Sequence, residues 1–138
     1  MFTDIEIEYL SRQPIGRVAT SQPDGTLQVN PVGFAVNTEL GTIDIGGYRM
    51  QRSRKYRNVA DNGRVALVVD DVVSTDPWRV RFLEVRGDAE AITEPTDSVY
   101  PMPGAIVRIR PKRIISLALD KRDLELEPHQ VPAHARNV

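Results

Sequence analysis

The chain of 138 residues contains no cysteine. Disulfides, thiolate metal centres and a cysteine nucleophile are therefore excluded. Histidine is nearly as scarce. His129 and His134 both stand in a proline-containing tail, and no metal site is expected from them. No serine lies in a G-x-S-x-G context, so the nucleophile elbow of a hydrolase is missing. Long apolar runs are absent too. Val65–Val69 and Ile114–Leu119, the latter with Ser116 inside it, are far too short to span a bilayer. The first residues, Met-Phe-Thr-Asp-Ile-Glu-Ile-Glu, lack the basic start and apolar stretch of a secretory leader. The expectation is a cytoplasmic protein with no membrane partner. General basicity is also missing: the formal net charge is −1 and the isoelectric point is near 6.1. Nucleic-acid-binding domains are typically basic overall, so no nucleic-acid partner is expected. Hydrophobic content of 41% and charged content of 27% are ordinary for a globular protein. The length suits one domain, residues 1–138, with a core that needs no staples.

Against this nearly neutral balance, one stretch stands out. Residues 48–57, Tyr-Arg-Met-Gln-Arg-Ser-Arg-Lys-Tyr-Arg, hold five positive charges. They follow residues 42–47, which read as a strand ending in a glycine turn. They open residues 55–63, which read as a short helix with an Asn-Gly stop. Backbone N–H groups at a helix N-terminus point outward, and the macrodipole favours negative charge there. Cations at that end are locally unfavourable unless a bound anion offsets them. Arg52, Arg54 and Lys55 are therefore the candidate anion site, and a cofactor phosphate is the expected anion. The competing reading, a solvated basic face, is weakened by the preceding strand and turn.

The remaining pattern is mostly that of strands. Thr3 to Glu6 fits a capping box, with Phe2 and Ile7 at the staple positions, and predicts a helix from Asp4 to about Ser11. Residues 15–20 read as a strand. Pro23-Asp24-Gly25 forms a hairpin turn, and residues 26–36 return, interrupted by Pro31 and Gly33. Residues 64–70 read as a buried strand and 78–92 as a long one. The apolar register of the long strand changes after Phe82, which predicts a bulge near Phe82–Leu83. Residues 93–104 are read as a loop, and residues 105–110 and 114–119 as two strands split by Pro111. The polar segment 120–138 is expected to be poorly ordered. The fold class is mainly β: an antiparallel barrel of six or seven strands with short helices. An N-terminal helix lies within 1–12, the barrel within 13–119 and the tail within 120–138.

Four stretches together resemble a known family: residues 15–20 with the Pro23–Gly25 hairpin; Val29-Asn30-Pro31-Val32-Gly33-Phe34; residues 53–59 followed by Gly63-Arg64-Val65-Ala66-Leu67; and Val85-Arg86-Gly87-Asp88-Ala89. Their order and spacing are similar to those of the pyridoxamine 5′-phosphate oxidase-like superfamily. Within it the chain looks most like the small deazaflavin-dependent reductases. The resemblance covers roughly residues 5–119. It implies a flavin-binding split barrel that works as a homodimer with two cofactor sites at the interface. Ser53, Arg54 and Lys55 would bind the cofactor phosphate. Asn30, Pro31, Val32 and Gly33 would line its ring. Trp78, Arg79 and Arg81, on the long strand, would face the partner's cofactor. The chain departs from the family after Ala91, where many relatives carry a helix, and after Pro111-Lys112-Arg113, where many carry a tryptophan.

Hydride transfer suits a chain with no recognisable catalytic acid, base or nucleophile, because the cofactor carries the reaction. FMN offers one phosphate. The deazaflavin F420 offers a phosphodiester and an acidic oligoglutamate tail. Five cations within residues 49–57, with Arg64 and Arg79 beyond, exceed the need of one phosphate and favour F420 over FMN. The expected function is an oxidoreductase that moves hydride between F420 and a small organic acceptor. Two alternatives stay open: an FMN-dependent enzyme of the same fold, and a non-catalytic carrier of flavin, deazaflavin or haem. Tyr48 and Tyr56 could flank a ring, although packing roles are commoner for such residues.

Overall fold

The computed structural model describes all 138 residues. Helix α1 (Asp4–Ser11) starts at the predicted capping box: Glu6 N–H donates to Thr3 Oγ1 at 3.3 Å, and Thr3 N–H donates to Glu6 Oε1 at 2.8 Å. Strands β1 (Gly16–Ser21), β2 (Leu27–Val32), β3 (Ala35–Asn37) and β4 (Thr42–Ile45) follow. A 3-10 turn at Met50–Arg52 leads into α2 (Arg54–Asn62), and then come β5 (Arg64–Thr75), β6 (Trp78–Ile92) and β7 (Ile106–Leu117). Gly25 (φ 89°) closes the β1–β2 hairpin and Gly63 (φ 67°) ends α2. Both take the left-handed conformation for which the sequence supplied glycine.

These seven strands join one antiparallel sheet in the order β2-β1-β5-β6-β7-β4-β3. The two ends of that order, β2 and β3, are consecutive in sequence. Only Gly33 and Phe34 separate them, so the two edges meet within the reach of a two-residue link. The sheet is thus a barrel with a split at this seam. Ile43, Ile45, Leu67, Val69, Leu83, Val85, Val107 and Ile109 fill its interior, and α1 and α2 cover its openings with Tyr9, Leu10, Tyr56 and Val59.

Several expectations change. The sheet has eight strands, because β8 (Ala133–Asn137) pairs with β7. The tail is therefore ordered over this stretch. Arg136 ties it to α1, its Nη2 lying 2.5 Å from Glu6 Oε1 and 2.9 Å from Met1 O. The predicted strands on either side of Pro111 are one strand, β7. Pro111 sits at a bulge where the register shifts between Arg86 and Gly87, the kind of place where a strand tolerates proline. There is no bulge at Phe82–Leu83, and the β5–β6 ladder runs unbroken through that pair. Both faces of β6 carry apolar residues: Leu83 and Val85 are buried inside, whereas Phe82 lies on the outside beside Val68. Register shifts in that hairpin lie instead at Val72–Ser74. The predicted strand 26–36 divides into β2 and β3 at the seam. No helix is long and apolar enough to cross a membrane.

Candidate functional site

The basic cluster begins where β4 ends. Gly46 and Gly47 release the chain from the sheet, and Arg49 takes a left-handed backbone conformation (φ 56°, ψ 32°). That conformation costs a non-glycine residue about 1–2 kcal/mol, and such strain concentrates at functional loops. The 3-10 turn then delivers Ser53 as N-cap of α2. Its hydroxyl donates to Met50 O at 2.6 Å and accepts Tyr56 N–H at 3.2 Å. Ser53 N–H bonds Met50 O, and Arg57 N–H bonds Ser53 O. The N–H groups of Arg54 and Lys55 are left without an intrahelical acceptor, as the first turn of a helix requires.

Two side chains fasten the helix to the barrel. Asn58, fully buried, donates to Thr20 Oγ1 at 3.0 Å and Gln28 Oε1 at 3.3 Å, and Asn62 donates to Ser21 O at 2.7 Å. Arg54 Nη2 donates to Gln22 Oε1 at 3.2 Å. The N-terminus of α2 is thereby held beside the β1–β2 hairpin. Asn30 lies two residues beyond Gln28 on the same face of β2. The structure thus places Asn30 and the Ser53–Lys55 turn on one side of the β1–β2 ribbon, with Val32 and Gly33 continuing to the seam. Pro31 points to the opposite, exposed face.

None of Arg49, Arg52, Arg54, Lys55 and Arg57 forms an ion pair, whereas nine of the other basic side chains do. The protein's unspent positive charge is concentrated at one helix start. Lys55 is half-buried, and burial lowers its pKa from the ordinary 10.5, because a desolvated ammonium favours its neutral form. An anion at this site needs Lys55 charged. Should the site hold a phosphate-bearing ligand, its affinity is expected to be level below the depressed pKa of Lys55 and to fall as pH rises through it. Titrating the ligand from neutral to strongly alkaline pH checks this. Lys55→Arg should remove the decline, since arginine stays charged.

The glycines at the seam form the second half of the site. Extending the β3–β4 register, in which Ala35 pairs with Asp44, sets Gly33 opposite Gly46. Neither carries a side chain of its own, so the two strands meet through bare backbone at the seam, next in sequence to Val32 on one side and to the basic turn on the other. The unpaired cations and the two facing glycines are the candidate anion site and ring site. In the sequence Gly33 interrupts a strand, whereas Gly46 reads only as part of a turn. The facing pair becomes visible only once the pairing of β3 and β4 is known.

Trp78 and Arg79 are not brought to this place within one chain. On β5, Val65 pairs with Thr20 and Thr75 pairs with Trp78, and about 33 Å of extended strand separates them. Trp78 is exposed. Arg79 Nη2 donates to Leu126 O at 2.7 Å, and its Nη1 is buried without a partner. Arg81 is engaged inside the subunit. It pairs with Asp71 at 2.8 Å and lies 5.2 Å from the ring centre of Tyr9. Burial and the Asp71 carboxylate push the Tyr9 phenol well above its usual value. Burial opposes ionisation of Asp71, yet hydrogen bonds from Arg81 and Tyr9 hold its carboxyl below the usual range. Tyr56 is buried, with its hydroxyl 3.0 Å from Thr93 Oγ1, and so packs rather than flanks a ring. Tyr48 is exposed.

Comparisons with known proteins agree with this fold. The model of the pyridoxamine 5′-phosphate oxidase family matches residues 4–124. A 5a,11a-dehydrotetracycline/5a,11a-dehydrooxytetracycline reductase of Streptomyces rimosus is 44% identical over 122 residues, which span 86% of this chain and 84% of the relative. A solved F420 reductase superposes with a TM-score of 0.57 at 29% identity, over 78% of this chain and 94% of that one. A conserved hypothetical protein of Mycobacterium tuberculosis shares the fold at 24% identity and a TM-score of 0.68, over 92% and 90% of the two chains. A split barrel with a glycine floor and an unpaired basic helix start, matched along almost its whole length, belongs to the pyridoxamine 5′-phosphate oxidase family, and the protein is an oxidoreductase of that fold.

Proposed function

We propose that the protein is an F420-dependent reductase acting on an electron-poor double bond in a small organic molecule. The observation that carries this reading is the set of five unpaired cations around the start of α2. One phosphate needs two or three charge-assisted contacts. The surplus suits a ligand with a phosphodiester and an acidic tail. When bound, the deazaflavin supplies the hydride. The chain's own residues bind and orient. Arg54, Lys55 and the free N–H groups of their turn hold the phosphodiester, Arg49, Arg52 and Arg57 steer the acidic tail, and Asn30 to Gly33 line the ring. The named activity of the Streptomyces relative, reduction of a dehydro-tetracycline, supports a conjugated acceptor.

The same reading includes a homodimer. Leu27 (80% exposed) and Val29 (65% exposed) project from β2. Val29 lines a groove of about 430 Å³ with Ala19, Ala66, Val68 and Phe82 on the outer face of the barrel, flanked by Arg17 and Glu84. A largely apolar sheet face with exposed Leu27 and Val29 beside it suits a second copy. Pairing through it would let Trp78 and Arg79 of each chain meet the other's site. The test is oxidation of reduced F420 in the presence of a panel of enones and quinones, with reduced FMN run in parallel. Turnover with F420 alone supports the proposal. Turnover with FMN alone moves the protein to the flavin branch, and binding without turnover makes it a carrier.

A further inference from the structure

Tyr100 lies on the glycine floor. Its ring stands against Gly46: a Cβ there would lie 2.7 Å from Tyr100 Cε1 and closer still to Cδ1. A Cβ at residue 33 would lie 2.6 Å from the Tyr100 hydroxyl. Positions 33 and 46 therefore admit this ring because both are glycine. The segment before Tyr100 is fastened firmly. Val99 N–H donates to the buried Asp44 Oδ2 at 3.1 Å, Asn37 Nδ2 donates to Asp97 O at 3.2 Å, and Arg108 Nη1 lies 3.0 Å from Asp97 Oδ1. The segment after it is not. Pro101 to Gly104 form no turn or loop hydrogen bond, and Gly104 (φ 113°) has open space around it. The Tyr100 hydroxyl makes no hydrogen bond within the chain; the residue's backbone N–H donates to Ser98 Oγ at 3.1 Å. The ring is thus positioned by the anchored side of its loop, makes no side-chain hydrogen bond of its own, and is followed by four residues with no turn or loop hydrogen bond.

We propose that Tyr100 is an internal competitor for the ring subsite: its phenol ring occupies the Gly33–Gly46 floor until a planar conjugated ring displaces it. This rests on the cofactor reading above and deepens it, because it names a residue that sets ring affinity without contributing to phosphate binding. A ligand whose site is open only part of the time binds more weakly by that fraction. Removing the competitor restores the intrinsic affinity.

The experiment is a fluorescence titration of F420 against the full chain as wild type, Tyr100→Ala and Tyr100→Phe. Hydrogen exchange over residues 98–104 is followed with and without F420. Tyr100→Ala should tighten binding about tenfold, and Tyr100→Phe, which keeps the ring, should match wild type. In the wild type, F420 should speed exchange at residues 98–104. If wild type binds F420 and Tyr100→Ala binds equally or more weakly, Tyr100 is a bystander or a wall, and the competitor role is overturned while the cofactor reading stands. If F420 slows exchange across 98–104, the ring is retained and the role is likewise overturned. If neither wild type nor Tyr100→Ala binds F420, the cofactor reading and the competitor role fall together.

Discussion

Replacing Arg54 and Lys55 together by alanine should lower F420 affinity by about two to four orders of magnitude. In the proposed site each makes a charge-assisted contact with an anion, and such contacts contribute about 1.5–3 kcal/mol apiece. Two of them together correspond to roughly a hundredfold to ten-thousandfold in Kd. The fold should survive the change. The N-cap bond from Tyr56 N–H to Ser53 Oγ does not involve either side chain. Arg54 loses only its bond to Gln22, and removing Lys55 relieves a desolvated charge. Unfolding curves of the variant should overlay those of wild type. Unchanged affinity would refute the anion site; lost affinity with a collapsed fold would call for Arg54→Gln with Lys55→Gln.

Asp44→Asn should destabilise the fold by about 3–5 kcal/mol, the usual effect of stranding one charge of a buried pair. Asp44 is 0% exposed and Arg108 is 4% exposed, and they meet at 2.9 Å. A guanidinium keeps its proton at any ordinary pH, so Arg108 stays charged and buried once the carboxylate that accepts from it is gone. Its second partner, Asp97, is more than half exposed and compensates little. Asp44 also accepts Val99 N–H, so the loop that carries Tyr100 loosens as the core weakens. A fall in Tm of about 10–15 °C is expected for a chain of this size, measured by thermal unfolding. A fall below about 3 °C would contradict the account of this network.

Features that depend on neighbours in sequence were readable. The Thr3–Glu6 capping box, the Pro23–Gly25 hairpin and the Gly63 stop each satisfy local backbone groups within a few residues, and local chemistry specifies them. The basic start of α2 was readable because charge at a helix N-terminus has one sign of partner. Features that depend on pairing were not. Strand β8 has the sequence Ala-His-Ala-Arg-Asn, with no apolar alternation. It forms because β7 offers a free edge and Arg136 reaches a carboxylate on α1. The change of apolar phase at Phe82–Leu83 implies a bulge only if every apolar residue faces the core, and the outer face of the barrel is largely apolar as well. The Gly33–Gly46 floor joins residues from two strands, and nothing local to either glycine announces the other. The Asp44–Arg108 pair spans 64 residues and is equally silent in sequence.

The central claim is that the unpaired cations of the α2 turn serve a deazaflavin. Parallel titration of F420 and FMN against one preparation of the protein tests it most directly, with salt held constant because charge contacts are screened. The account predicts tight binding of F420 and markedly weaker binding of FMN. Equal or tighter binding of FMN would contradict it.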